Sequence, residues 1–324
     1  MARTDAKHAF ILDFQDEGSC DNPARSLGAM QKLVNMSRVR FVVSGCLSGT
    51  KAIGALAKQH DVLLLSSGLL DRDVLAQRYP LVNFATEIAG ESQYLAELIV
   101  DAGVRRLAAF RPVDAFGEEV GETLKRLLAK SGVEIVSNEL VAQDVQDFRT
   151  LLLRLKSTKA DALFMNTLGK DQQLMLMRQL GELRLDLPVF GNYVIEASVT
   201  AESEKKLLEG VRYTHPINSA AESPQKSVFD NKFRARFGKN ELPSANTYFV
   251  YDGLMLLDQA LNQCVPTDTD CVRRAMTNGN TRQGISGDFT IKADGSCVRP
   301  YGFKQVRDGK FEWTQMQVTV DPKL

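Results

Sequence analysis

Side chains that commonly do chemistry are sparse in this chain and do not fall into catalytic patterns. The three histidines are His8, His60 and His215, and none lies in a GxSxG, HExxH or comparable frame. Asp114 and Glu118 could act as an acid–base pair, but carboxylates at the start of a predicted helix usually cap it or face solvent. There is no GxGxxG after a strand and no P-loop. The sequence therefore predicts a protein that is not an enzyme and uses no cofactor.

The chain has five cysteines, at positions 20, 46, 264, 271 and 297. Cys264 and Cys271 flank a short polar segment and could close a small loop at the end of a helix. The alternative is that all five are reduced thiols in a cytosolic protein. No CxxC or Cys/His spacing typical of a metal site is present, so no metal is predicted. Cys297 is left over, and a buried thiol is favoured for it over a nucleophile.

Composition excludes several classes of partner. Lysine plus arginine equals aspartate plus glutamate, at 40 each, and no basic run with interleaved aromatics appears, so nucleic acid is not an expected partner. No apolar stretch approaches the roughly 18 residues needed to span a bilayer, which predicts a soluble chain without membrane insertion. The N-terminal decapeptide is charged and lacks an apolar signal-peptide core, so any export signal is expected to be absent from this sequence.

Residues 41–70 contain a strand, turn, helix, strand and turn within thirty positions. Two continuous apolar runs, at 41–43 and 62–65, end in Ser/Gly turns, and an apolar stripe at helical spacing lies between them. Continuous rather than alternating runs are typical of parallel strands that are covered on both faces. The segment is therefore predicted to be a βαβ unit. In such sheets ligands bind beyond the carboxyl ends of the strands, so turns 45–50 and 66–70 should form one wall of a site.

The same alternation continues along the chain and predicts an α/β fold with parallel sheets. A strand is predicted at 8–14, a helix at 24–36 and a strand at 81–85, and the tail beyond 284 is predicted to form hairpin-like strands that turn at Asp-Gly pairs. The other predicted strands are 106–110, 133–140, 161–166 and 188–191, and the other predicted helices are 90–102, 115–130, 147–157, 170–184, 224–238, 244–263 and 270–277.

Five short motifs, in order, resemble those of the type I periplasmic binding proteins. They are the loop Asp16–Ala24, the turns Gly45–Gly49 and Leu65–Gly68, the segment Asp114–Gly117 and the closing Gly284–Gly295. The resemblance is greatest to the leucine/isoleucine/valine-binding branch of ABC-transporter substrate-binding proteins, and it covers about residues 10 to 312. It implies two Rossmann-like lobes with parallel sheets joined by three crossovers, near 86–88, 243–246 and 293–296. Lobe 1 is then 1–86 plus 247–292, and lobe 2 is 87–246 plus 293–324.

One departure from the family concerns the N-terminus. Members begin with a further strand and helix before the strand expected at 8–14, and that unit has no counterpart here. Its strand would lie between those predicted at 8–14 and 41–43, where a gap would leave backbone groups unpaired in the core. A truncation is therefore expected rather than a native fold with that gap.

A second departure lies in the pocket. Amino-acid binders of this branch hold the ligand's carboxylate with a Ser on the first turn and a Thr on the second, and its ammonium with a Glu of the second lobe. Ungapped counting places Leu47, Leu70 and Tyr193 at these positions. A one-residue shift recovers Ser48, and a longer shift brings Glu196 near the last position. The signature for an α-amino acid is thus largely lost.

The predicted ligand contacts come from turns of both lobes. They are Leu47, Ser48, Gly68, Leu69 and Leu70 in the first lobe, and Phe116, Asn166, Leu168, Asn192 and Tyr193 in the second. Phe116 could equally be a core aromatic, Tyr193 could simply cover a strand end, and the two asparagines could cap the turns that follow them. The leucines and Phe116 suit an apolar or aromatic body, which predicts an uncharged or anionic ligand such as an aromatic or branched acid or an amide.

The resemblance also implies a disulfide between Cys20 and Cys46, beside the possible Cys264–Cys271 pair. It implies a periplasmic receptor that binds a small solute in the interlobe cleft and presents it to the membrane permease of an ABC transporter. A ligand-sensing regulatory domain of the same fold, which would signal to a protein partner, remains the alternative.

Overall fold

A computed structural model describes residues 8–18, 20, 22–142, 144–166, 169–198, 202–217, 223–238 and 243–316. The chain forms two compact units, each assembled from separate segments. Unit 1 comprises Met1–Glu87, Asn218–Ser223 and Asn246–Arg299, and unit 2 comprises Ile88–Ile217, Pro224–Ala245 and Pro300–Leu324. The lobe boundaries expected from the sequence stay a prediction.

Helices and strands alternate along most of the described chain, and the predicted α/β class is confirmed. The strands are β1 (Phe41–Ser44), β2 (Leu63–Ser66), β3 (Leu81–Asn83), β4 (Arg106–Pro112), β5 (Glu134–Val141), β6 (Ala162–Met165), β7 (Val189–Gly191), β8 (Arg212–Pro216), β9 (Thr281–Gly284), β10 (Gly287–Ile291), β11 (Cys297–Val298), β12 (Tyr301–Arg307) and β13 (Lys310–Gln315). The helices are α1 (Pro23–Asn35), α2 (Leu47–Gln59), α3 (Arg72–Ala76), α4 (Ile88–Asp101), α5 (Ala115–Ala129), α6 (Arg149–Thr158), α7 (Lys170–Glu182), α8 (Val194–Ser198), α9 (Glu202–Leu207), α10 (Pro224–Phe237), α11 (Ala245–Leu261) and α12 (Thr269–Met276).

Unit 1 contains the predicted βαβ unit. Strands β1, β2 and β3 are parallel, with Phe41 opposite Leu63 and Leu64 opposite Leu81. The run 62–65 is completely buried, as expected for a central parallel strand with both faces covered. Because β1 and β2 run in the same direction and in register, Ser44 and Ser66 lie opposite each other at their carboxyl ends.

The strand predicted at 8–14 is wrong, because residues 9–18 form neither strand nor helix. A strand requires a neighbouring strand for its backbone groups, and among the described residues β1 pairs only with β2. The segment is held by side-chain hydrogen bonds instead: the His8 amide donates to Asp258 at 2.8 Å, and Ser37 donates to Asp13. Ile11, Leu12 and Phe14 are exposed to solvent, and Ile11 is fully exposed. The missing N-terminal unit itself stays a prediction.

Unit 2 is built on a seven-stranded sheet in the order β13-β12-β8-β7-β6-β4-β5. Strands β4 to β8 are parallel, whereas β12 is antiparallel to both β8 and β13. Strands β12 and β13 form the hairpin expected in the tail, which turns at Asp308-Gly309. Both turn residues have positive φ, 50° and 67°, as the Asp-Gly pair of a two-residue hairpin turn requires.

The core of unit 2 lies between this sheet and the helices that cross over it. Within it the rings of Phe110 and Phe148 are stacked, with 6.3 Å between their centroids. Helix α4 covers β8 and β12 on another part of the sheet and places Glu91, in its first turn, in a buried position. The strands that end in polar residues are therefore held in place by an apolar core.

Candidate functional site

The carboxyl-end turns of unit 1 approach each other closely. A Cβ atom on Gly68 would lie only 2.4 Å from the carbonyl oxygen of Gly45, so the second turn requires glycine at this position. Leu47 begins α2 and is buried, and Leu69 and Leu70 are buried after β2. The predicted contacts of the first lobe therefore lie together on two adjacent turns of one sheet.

Ser48 already has a hydrogen-bond acceptor in this arrangement. Its hydroxyl donates to the backbone carbonyl of Cys20. The hydroxyl hydrogen is thus directed to the loop before α1, and the serine oxygen is left with its acceptor lone pairs.

Sequence reasoning missed Glu17 at the same turns. Its carboxylate accepts a hydrogen bond from the Ser44 hydroxyl at 3.2 Å and one from the Gly45 amide at 3.3 Å. Thr50 in turn donates to the Ser44 oxygen at 3.1 Å. A carboxylate of the chain itself therefore occupies donors at the end of β1. The one sequence signal for this role of Glu17 was that it lies in the loop just before Cys20, a residue of the predicted disulfide.

Two disulfides are present, and both predicted pairs are confirmed. Cys20 and Cys46 are bonded with a Cα–Cα distance of 5.4 Å, and Cys264 and Cys271 with one of 5.8 Å. The first bond fixes the loop that carries Glu17 to the residue before α2. Cys297 is a buried free thiol, and burial raises its pKa.

The strands of unit 2 also end in polar residues. Asn166 follows β6 and Asn192 follows β7, and the Asn192 amide donates to the Asn166 oxygen at 3.3 Å. Phe116 is half-buried in the first turn of α5, whose N-terminus is capped by Asp114 through a 2.7 Å bond from the Gly117 amide. Leu168 lies outside the described residues.

Tyr193 lies directly after these strand ends and is buried. It contacts the ring of His215, edge to face, at 6.4 Å between ring centroids. Trp313 contacts the same histidine at 5.6 Å with an interplanar angle of 88°. His215 is thus enclosed by aromatic rings, in a position that its sequence context did not reveal.

Glu196 and Lys304 form an ion pair next to His215. The Lys304 ammonium contacts Oε1 of Glu196, and the Tyr213 hydroxyl donates to the same oxygen. Oε2 lies 3.5 Å from Nε2 of His215. Burial would raise the pKa of Glu196, but its contacts with His215, Lys304 and Tyr213 hold that pKa below its ordinary value. Glu196 is therefore an ionised carboxylate whose charge is compensated inside the protein.

A surface cleft of about 580 Å³ lies elsewhere in unit 1, before the amino ends of β2 and β3. Its lining includes Lys58, Asp61, Arg78, Asp270 and Arg273. Charges of both signs line it, and none of the predicted contacts does. The carboxyl-end turns, rather than this cleft, remain the candidate site, because they combine buried apolar residues with convergent polar groups.

Within the described part of the chain, no three histidine, cysteine, aspartate or glutamate side chains are grouped so as to hold a metal ion. In the same residues, no helix is long and apolar enough to cross a bilayer.

Comparison with known proteins assigns the family. The family model described as periplasmic binding protein matches residues 12–310. The Leu/Ile/Val-binding protein homolog 2 of Brucella abortus is 23% identical over 309 residues, which cover 91% of this chain and 80% of that protein.

Two solved structures share the fold. The leucine-binding protein LivK of Thermotoga maritima superposes with a TM-score of 0.79 at 15% identity, covering 93% of this chain and 85% of its own. A solute-binding protein of an ABC transporter from R. palustris, solved in complex with benzoate, superposes with a TM-score of 0.79 at 16% identity. The superposition covers 90% of this chain and 81% of that protein. Proteins of this kind bind small solutes, work with ABC-transporter permeases and are not enzymes. With the family model matching nearly its whole length, the chain belongs to the type I periplasmic binding proteins, in the Leu/Ile/Val-binding branch.

Proposed function

We propose that this protein is the receptor of an ABC transporter for a small, largely apolar carboxylic acid or amide that carries no ammonium group. The liganded form would be presented to a membrane permease. An extracytoplasmic location agrees with the family. The proposal concerns the chemical class of the solute, since the fold is shared by proteins named for leucine and by one solved with benzoate.

The observation that carries the proposal is the ion pair between Glu196 and Lys304. The ammonium of a zwitterionic ligand costs several kcal/mol to desolvate unless a carboxylate is available to pair with it. Glu196 is the acidic residue that follows β7, and Lys304 already neutralises it, with the Lys304 side chain only 9% exposed. A second cation at this carboxylate would leave one positive charge without a partner.

The remaining predicted contacts favour an apolar ligand body. Leu47, Leu69 and Leu70 lie on the unit 1 turns, and Phe116 and Tyr193 follow strands of unit 2. Because Glu17 occupies the Gly45 amide of the first turn, the backbone amides of the second turn, 66–70, would hold a carboxylate or carbonyl oxygen. Polar groups would then fix the orientation of the ligand, and apolar burial would supply most of the affinity.

Isothermal titration calorimetry tests the ligand class. Leucine, isoleucine and valine should give no heat of binding, whereas 4-methyl-2-oxopentanoate or benzoate should bind. Leucine and 4-methyl-2-oxopentanoate share the same branched body and differ at the amino group, so this pair isolates the ammonium. Tight binding of leucine together with an inert keto acid would show that Glu196 accepts the ammonium after all.

Transport by the receptor needs a separate measurement. In proteoliposomes that contain an ABC-transporter permease from the same organism, adding the purified protein should stimulate both ATP hydrolysis and uptake of the bound acid for the permease that it serves. Ligand binding without either response would favour the sensor alternative.

A further inference from the structure

The first turn of unit 1 binds an anion that belongs to the chain itself. The Ser44 hydroxyl and the Gly45 amide donate to the Glu17 carboxylate at 3.2 and 3.3 Å. Helix α2 begins just beyond them. It has no acidic residue in its first turn and no side-chain hydrogen bond from its N-cap residue, Cys46. Glu17 therefore supplies, from the loop before α1, the negative charge that stabilises a helix N-terminus.

Gly49 makes room for this carboxylate. A Cβ atom at position 49 would lie 3.0 Å from Oε2 of Glu17 and 2.8 Å from the Ser26 hydroxyl oxygen, so a larger residue would displace one of them. The disulfide between Cys20 and Cys46 ties the loop that carries Glu17 to the same turn. Glu17 is thus a tethered occupant of the first turn.

The charge of Glu17 is not compensated at these turns. Among the described residues no cation forms an ion pair with it, whereas Lys51 of α2 contacts Asp71, the N-cap residue of α3. Arg25, on α1, pairs with the neighbouring Asp16 at 56% side-chain exposure. The two turns therefore carry an excess negative charge before any ligand binds.

The second turn is in contact with the first. A Cβ atom on Gly68 would lie 2.4 Å from the Gly45 carbonyl oxygen and 3.7 Å from the Cys46 amide nitrogen. A ligand carboxylate held by the amides of 66–70 would therefore lie beside the donors that Glu17 occupies. A second carboxylate on the same small ligand would need those donors and would meet the Glu17 carboxylate there. Like charges at short range repel, and no cation offsets the repulsion.

We propose that Glu17 restricts this receptor to ligands with a single negative charge. It excludes a second carboxylate in two ways, since it occupies the donors of the first turn and repels an anion that approaches them. A neutral carboxamide at the same place is accepted, because its N–H group can donate to Glu17. This assignment rests on the proposed function, since it concerns an acid whose first carboxylate is held by the second turn.

Isophthalate and 3-carbamoylbenzoate test the proposal in calorimetry at pH 7.5. Both contain a benzoate body, and they differ in whether the second group is a carboxylate or a neutral carboxamide. The wild type should bind 3-carbamoylbenzoate about tenfold more tightly than isophthalate, the effect of one hydrogen bond to a charged group. If the protein binds benzoate but shows equal affinities for these two probes, or prefers isophthalate, this inference is wrong and the proposed function stands.

Three variants assign the effect to Glu17. Glu17→Ala frees both donors and removes the charge, so the ratio of the two affinities should fall by about tenfold and approach one. Glu17→Gln removes the charge but keeps an oxygen for the donors, so the ratio should fall by a smaller factor. Asp16→Asn is the matched control, because it removes the same charge from the adjacent loop position, and it should keep the wild-type ratio. An unchanged ratio in Glu17→Ala would overturn the inference.

A measurement with sulfate is independent of the acid ligand and decides the inference if none of the aromatic acids binds. In ¹H–¹⁵N NMR spectra, the Gly45 amide of Glu17→Ala should shift saturably as sulfate is added, and that of the wild type should not. A sulfate shift in the wild type would show that Glu17 does not close these donors to anions, even if Glu17→Ala fails to fold. No shift in a folded Glu17→Ala would show that they do not form an anion site.

Discussion

Glu91 should make the stability of unit 2 strongly dependent on pH. This carboxyl group lies in the first turn of α4, is 5% exposed, and accepts a hydrogen bond from the Thr214 hydroxyl at 3.1 Å. Burial raises its pKa from 4.5 to about 8, and the bond from Thr214 offsets only part of that rise. The folded protein therefore keeps Glu91 protonated and neutral at pH 7.

The size and sign of the effect follow from the two pKa values. Between pH 4.5 and about 8 the unfolded chain has released the proton that the folded chain still binds. The free energy of unfolding should fall with rising pH across this interval, by about 1.4 kcal/mol per pH unit and roughly 5 kcal/mol in total, and then level off. Relaxation of the buried site when Glu91 becomes charged reduces this total.

The substitution Glu91→Gln isolates this group, since glutamine keeps an oxygen for Thr214 and cannot ionise. Urea unfolding followed by the fluorescence of Trp313, the single tryptophan and part of unit 2, should be measured at pH 5, 7 and 9. We expect the variant to lack the fall seen in the wild type and to be the more stable protein at pH 9. Glu118→Gln, at an exposed position of α5, should behave like the wild type. Equal pH slopes for wild type and Glu91→Gln would refute the reasoning.

Three further results are expected. Lys304→Met leaves the Glu196 carboxylate without its cation, so the variant should lose about 3 kcal/mol of stability. It should also bind leucine measurably in calorimetry. If the variant still does not bind leucine, the ion pair does not determine which ligand charge is accepted. Glu17→Gln removes a negative charge from the unit 1 turns, so benzoate should bind roughly two- to fivefold more tightly at low salt, and an equal or weaker affinity would separate Glu17 from the ligand. Thiol titration of the denatured, unreduced protein should find one reactive thiol, Cys297, and five would rule out both disulfides.

Much of the fold could be predicted because apolar runs and glycine turns are local signals. The buried strand 63–65 and the Asp308-Gly309 turn each follow from a few neighbouring residues. The strand at 8–14 was predicted incorrectly for the opposite reason. Its composition permits a strand, but a strand also needs a partner, and that depends on residues distant in the sequence.

The candidate site was harder to predict than the fold. The turns were located correctly at the ends of parallel strands, because sheet topology brings such ends together. The compensation of Glu196 could not be foreseen, since Lys304 follows it by 108 positions and reaches it only through the antiparallel pairing of β12 with β8. Nothing in the sequence around Lys304 indicates that it pairs with Glu196.

The ion pair between Glu196 and Lys304 has an evolutionary consequence, because Lys304 lies on the hairpin of β12 and β13. Lys304 and Trp313 both lie on a single short hairpin at the edge of the unit 2 sheet, outside the turns that usually identify a ligand in this family. Exchanging one hairpin residue could thus change which charge the receptor tolerates while every binding-turn motif stayed the same. We therefore expect that the ligand charge accepted by a relative depends on its residues at the positions of Lys304 and Trp313 as well as on its binding turns.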